Sequence, residues 1–204
     1  TTIMNLGYNV FIPRIPPLKA LSITSENIKW FAKAYEEIIN RNDVDKANVA
    51  IIGISFGGSL LLKATLDKKI KSNPPRSMLM YGSCFDLETG LNFLLTGKIK
   101  HNGEIGHIPP NEWGLTVLFH NFIKTVDAGF DTTKIQAVLA ARVADELDEV
   151  EKLKASLSNH DFQFVDSVLT AKCTPEIAEI AQEIIKSQAD FLKQVSPSSF
   201  CEQI

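Results

Sequence analysis

Asn48–Leu62 reads NVAIIGISFGGSLLL. Val49, Ala50, Ile51 and Ile52 predict a buried strand, Gly53-Ile54-Ser55-Phe56-Gly57 a tight turn, and Gly58 and Ser59 the opening of an apolar helix. Gly-x-Ser-x-Gly between a strand and a helix has the form of a nucleophile elbow. A serine held at so sharp a bend needs minimal side chains two residues before and after it, here Gly53 and Gly57, so that strand and helix can approach. Its hydroxyl then stands clear of the sheet. The N–H of Phe56 points toward the oxygen of a bound acyl group, where the positive end of the helix favours developing negative charge. The bland alternative is a glycine-tight turn whose serine is incidental. The β-branched strand before it, the apolar helix after it and a second strand–helix unit upstream favour the elbow.

Working outward, residues 1–6 read as the tail of a helix closed by Gly7, and Tyr8–Ile12 as a short apolar strand. Pro13, Pro16 and Pro17 make Pro13–Leu21 a loop, in which Arg14 and Pro16 are candidates for the rim of a binding crevice, a simply solvated Arg14 being the commoner alternative. Ser22, Thr24 and Ser25 offer N-caps to a helix with Ile28, Phe31, Ala32, Tyr35, Ile38 and Ile39 at three- and four-residue spacing. Asn40–Ala47 is a polar turn. After the elbow the helix runs on through Leu60–Ile70, with Lys63, Lys68 and Lys69 on its exposed side and end. Asn73-Pro74-Pro75 stops it, and Met78–Tyr81 is the next buried strand, ending at Gly82-Ser83. Strands separated by helices through short connections imply a parallel sheet with right-handed crossovers.

The run from Gly7-Tyr8-Asn9-Val10-Phe11-Ile12-Pro13-Arg14 through one helix to Gly53-Ile54-Ser55-Phe56-Gly57-Gly58 resembles the middle of an α/β-hydrolase, over roughly residues 3–95. The expected fold class is therefore α/β: a partial parallel-sheet hydrolase core over residues 1–95 and a mostly helical cap or insertion over 96–204.

Past Tyr81 no strand pattern stands out. Phe85–Leu95 is helical in pattern and Thr96–Pro110 a Gly-, Pro- and His-containing loop. Asn111 can cap a helix in which Trp113, Leu115, Val117, Leu118, Phe119, Phe122, Ile123 and Val126 cover most of the circumference, as in a buried helix or the wall of an apolar cavity. Ile135, Leu139, Val143, Leu147, Val150, Leu153 and Leu157 form one stripe of a long helix whose acidic residues face solvent. Thr174-Pro175 starts another, carrying Ile177, Ile180, Ile184, Phe191 and Leu192. Nine of the twelve phenylalanines follow Cys84. Such helices resemble the cap that many α/β-hydrolases insert; a plain helical bundle is the alternative.

A serine hydroxyl needs a general base, and the base an orienting carboxylate. The resemblance implies the order Ser, then Asp or Glu, then His, on loops after later strands. Neither those strands nor a His-Gly-Gly-Gly oxyanion loop is visible, so the chain is expected to be an internal piece of a hydrolase, with base and acid supplied outside it. Among His101, His107, His120 and His160, His107 is the candidate base, and Asp86 the candidate acid. Its competing role is to cap the helix near Leu87. There is no H-E-x-x-H, P-loop or Gly-x-Gly-x-x-Gly. His101, Glu104 and His107 are a poor zinc set, and no metal or cofactor is expected.

Composition narrows the remaining classes. With 204 residues, 45% hydrophobic and 22% charged, the chain is long enough for a sizeable core. A net charge of −3 offers no basic footprint for nucleic acid. No apolar run reaches the roughly 20 residues of a membrane span. Three widely spaced cysteines suit a reducing compartment, so cytoplasm is expected, with a leader before Thr1 left open. The resulting expectation is an esterase- or lipase-like serine hydrolase. Ser55 would be its nucleophile, Phe56 N–H an oxyanion donor and Gly53, Gly57 and Gly58 the elbow frame. Its partner would be a small ester with an apolar acyl or alkyl part. A non-catalytic hydrolase-like module and an acyltransferase are the alternatives.

Overall fold

A computed structural model describes residues 2–204. In chain order the elements are α1 (Thr2–Asn5), α2 (Pro16–Lys19), α3 (Glu26–Ile39), β1 (Ala50–Ile54), α4 (Ser55–Ala64), α5 (Lys68–Lys71), β2 (Ser77–Tyr81), α6 (Leu87–Thr96), β3 (Lys98–His101), β4 (Glu104–His107), α7 (Glu112–Phe122), α8 (Thr133–Val143), α9 (Leu147–Lys154), α10 (Asn159–Leu169), α11 (Pro175–Ser187) and α12 (Ala189–Val195). The fold is mixed α/β and falls into two compact units. One runs up to Ser83 and takes in Phe200–Ile204; the other is Cys84–Ser199. The division therefore falls after Ser83, earlier than the expected residue 95, because α6 packs with the helices that follow it.

In the first unit β1 and β2 pair in parallel, Ala50 opposite Ser77 through Ile54 opposite Tyr81. Helix α3 buries Ala32, Tyr35 and Ile39 against Ala64 and Ile70, with Ile28, Phe31, Val49 and Ile51 packed on the cluster. The Tyr35 hydroxyl donates to the Asn73 carbonyl oxygen at 2.7 Å, so the buried ring keeps a polar partner. Asn27, fully buried, closes the start of α3: its side-chain oxygen accepts from Thr24 N–H at 2.6 Å and its amide donates to the Ser22 carbonyl oxygen.

One expectation for this unit holds and several are corrected. The helix tail over residues 1–6 is α1, with Thr1 outside the described residues, and Gly7 closes it at φ +87°. Tyr8–Ile12, expected as a strand, makes no ladder. Its side chains are exposed, Ile12 by 86%, and an apolar run cannot hold strand geometry without a neighbour's backbone to pair with. Pro16 and Pro17 start the short α2 rather than staying in a loop, since proline is pre-set for a first helical turn. The helix after the elbow ends at Ala64, and α5 starts separately at the Asp67 cap. Nor are β1 and β2 buried on both sides. Ile51, Gly53 and Met80 are covered or half-covered, whereas Ile52, Ile54, Leu79 and Tyr81 on the opposite face are more than half exposed.

The second unit is helical around one cluster: Leu115, Leu118 and Phe119 from α7, Ile135, Val138 and Leu139 from α8, Phe164, Val165 and Val168 from α10, and Ile177, Ile180 and Ile184 from α11. Phe119 and Phe130 each meet Phe164 edge-on, at 5.5 and 5.4 Å. The nearly all-round apolar α7 is thus buried as a central helix. The expected loop at 96–110 is a hairpin, β3 pairing antiparallel with β4. Asn102 and Gly103 turn it at φ +51° and +89°, the pair of positive values that a two-residue type I′ turn demands. The expected long helix over 135–157 breaks at Asp145, φ +61°, into α8 and α9. The break takes Leu147 out of the stripe and leaves it exposed. A helix not foreseen, α10, starts at Ser158, whose hydroxyl accepts from Asp161 N–H at 3.1 Å. The last long stripe is likewise two helices, α11 and α12, divided at Gln188.

Candidate functional site

The strand–serine–helix junction forms as one geometric unit. Strand β1 ends at Ile54 and α4 starts at Ser55, whose φ is +54°. A non-glycine residue enters that region only at a cost, so the neighbours must over-determine it. They do. A Cβ on Gly53 would stand 2.6 Å from the Gly58 Cα, and one on Gly58 would come within 3.2 Å of the Gly53 carbonyl carbon. The contact that needs two glycines is therefore Gly53 against Gly58. Gly57, expected to fill that role, has open space where its Cβ would be. Residue i+2 of the motif leaves the crossing, and i+3 faces back to the strand because the helix turns by about 100° per residue.

Ser55 is exposed and Phe56 half-exposed, while Gly58, Ser59 and Leu60 beneath them are buried. As the opening residues of α4, Ser55 and Phe56 carry N–H groups with no partner further up the helix. The helix dipole adds positive potential at that end. Beside them Gly82, at φ +64°, turns the chain out of β2 so that the Ser83 hydroxyl donates to the Ser55 carbonyl oxygen at 2.7 Å. Such a junction can present a hydroxyl and backbone donors to one electrophilic carbonyl.

The structure does not assemble a triad around Ser55 within that unit. All four histidines fall within Cys84–Ser199. His107, the candidate base, closes β4 opposite Lys98 and lies exposed against Gly97. His160 bonds the Glu176 carboxylate at 2.9 Å and Asp161 at 3.3 Å; these bonds raise its pKa, Glu176 most. Asp86, the candidate acid, is the N-cap of α6. Its carboxylate accepts from Thr89 N–H at 2.8 Å, from the Thr89 hydroxyl at 2.7 Å and from the Ser198 hydroxyl at 3.1 Å. Those bonds, the Thr89 N–H foremost, hold its pKa below the ordinary carboxylate value. Burial, with Asp86 adding to it, pushes the Cys84 thiol up, away from a reactive thiolate.

Among the described residues no three His, Cys, Asp or Glu side chains come together as a metal site. Among the described residues none of the three cysteines is in a disulfide, and no helix is long and apolar enough to cross a membrane. Two open concavities, of about 480 and 710 Å³, are lined by residues 125–127 with Glu183, Lys186 and Ser187, and by Asp145–Glu149. Both belong to the helical unit. Ser83 is not singled out by the sequence, where Gly82-Ser83 marks the end of a strand; its bond to the Ser55 carbonyl comes from the fold. No family model, curated protein or solved structure matches this chain.

Proposed function

We propose that the chain carries the nucleophile of an α/β-hydrolase-type serine hydrolase, with Ser55 attacking the carbonyl of a small ester. One observation supports this above the others: an exposed serine at φ +54° between a parallel strand and a helix, held there by the Gly53–Gly58 contact. Backbone strain of this kind clusters at functional sites, although Asn102 and Asp145 carry similar φ at a turn and a helix break. In the proposed mechanism Ser55 Oγ adds to the ester carbonyl and its proton passes to a general base. The oxyanion accepts a hydrogen bond from the Phe56 N–H, the alkoxide leaves with the proton that the base returns, and water, deprotonated by the same base, then releases the acyl group. The helical unit would act as the cap. The apolar acyl or alkyl part of the substrate is proposed from the apolar residues of that cap, of which Phe119, Phe130 and Phe164 pack on one another inside the helical core.

A serine-reactive fluorophosphonate probe tests the reading. The protein labels and Ser55→Ala does not; equal labelling of the two removes Ser55 from the site. A second reading, a non-catalytic hydrolase-like module, draws on the commitment of Asp86 to a helix cap and of His160 to two carboxylates. Absence of labelling in either protein, together with no turnover of short nitrophenyl esters, favours it.

A further inference from the structure

Ser83 holds the far end of the peptide group whose near end is the Phe56 N–H. The Ser55 carbonyl and the Phe56 N–H belong to one trans peptide plane, so they point in opposite directions and rotate as a single body. The 2.7 Å bond from the Ser83 hydroxyl to the Ser55 oxygen fixes that rotation. It also polarises the amide, because a carbonyl that accepts a hydrogen bond makes its own N–H a stronger donor. Two features seat the hydroxyl there. Gly82 takes φ +64°, bringing Ser83 back over the first turn of α4, and Gly58 leaves the space that Ser83 Oγ occupies, which a Cβ would fill.

From this geometry we infer that Ser83 is a positioning residue, aligning and strengthening the Phe56 N–H as an oxyanion donor. The inference rests on the hydrolase reading above and deepens it, since it says how the donor is held against the strain at Ser55. A hydroxyl is the requirement: Thr satisfies it, and Ala does not. Ser83 touches neither the substrate carbonyl nor the Ser55 hydroxyl in this role. Its removal should therefore lower the rate of acyl transfer and leave ground-state binding and the pH profile in place.

Two readouts on the same proteins test it: backbone NMR of the Ser55 carbonyl carbon and Phe56 amide, and the kinetics of fluorophosphonate labelling. In Ser83→Ala both resonances move upfield, and the maximal labelling rate drops about tenfold with the half-saturating probe concentration unchanged. That loss is smaller than the 10²–10³ seen when an oxyanion donor is deleted outright. Ser83→Thr restores both. Unmoved resonances in Ser83→Ala overturn the inference, and so does a labelling rate within twofold of the parent while Ser55→Ala stays unlabelled. Labelling that ignores Ser55→Ala is the separate signature of a failed hydrolase reading, and the inference falls with it. Should Ser83→Ala not fold, Ser83→Cys, a weaker donor, is read by the same two criteria.

Discussion

At Ser55 a left-handed backbone costs on the order of 1–2 kcal/mol, and the Gly53–Gly58 contact and the Ser83 bond oppose its relaxation. Asp86 shows the contrasting case of a residue whose polar bonds serve the fold. Its carboxylate caps α6, and its pKa is lowered chiefly by the Thr89 N–H. A carboxylate with a depressed folded pKa stabilises fully above its unfolded pKa, about 3.9, and loses that contribution as pH falls through the folded value. Asp86→Ala should therefore cost about 1 kcal/mol at neutral pH. The gap between the two urea midpoints should narrow below about pH 3.9. A gap constant from pH 7 to 3 would rule out the carboxylate as its source. The serine, the glycine before it and the Asp86 cap were all legible, because each follows from local sterics or local hydrogen bonding. That Gly58, not Gly57, makes the close contact was not, since it depends on how α4 rotates over β1.

At the scale of elements, caps and turns divide what the sequence discloses. Asn111 caps α7 through the Trp113 N–H, and Thr174 caps α11 through the Ile177 N–H at 3.2 Å with Pro175 in the first turn, both as expected. The Asn102-Gly103 turn carried a strong hairpin signal that the surrounding Gly, Pro and His residues obscured. The break at Asp145 was hidden by an apolar stripe that continues in register on paper, although the acidic run Asp145 to Glu149 is what a new helix N-terminus favours. Helix α11 buries Ile177, Ile180, Ala181 and Ile184, so its first turn bears on the core of the helical unit. Thr174→Ala should lower stability by about 1 kcal/mol, with Thr174→Ser close to the parent. Thermal melts of the three proteins check this, and a Thr174→Ser melt no better than that of Thr174→Ala would sink the capping account.

Across the whole chain the two units carry cores of very different size. The helical unit gathers buried side chains from five helices, α7 to α11, with Phe119, Leu139, Val165 and Ile177 each fully buried. The first unit centres on Ala32, Tyr35, Ile39, Ala64 and Ile70, beneath a two-stranded sheet whose other face leaves Ile52 and Leu79 more than half exposed. Continuous apolar runs such as Val49–Ile52 and Met78–Tyr81 are the pattern of parallel strands covered on both faces. They could therefore be read as strands, but not as half-covered ones, because coverage belongs to the neighbours and not to the run. Local opening is easier where few apolar contacts hold an element and where a ladder has only one partner. Hydrogen exchange should therefore be fastest, relative to intrinsic rates, in the amides of β1 and β2, and slowest in α7, α8 and α11. The separation should be at least about tenfold, or 1.4 kcal/mol of opening free energy. Ile135→Val, which trims one methyl group from the larger core, should speed exchange in α7 and α8 and leave β1 and β2 unchanged. Equal protection of β1 and α7 in the parent protein would mean that the smaller core is not the weaker one.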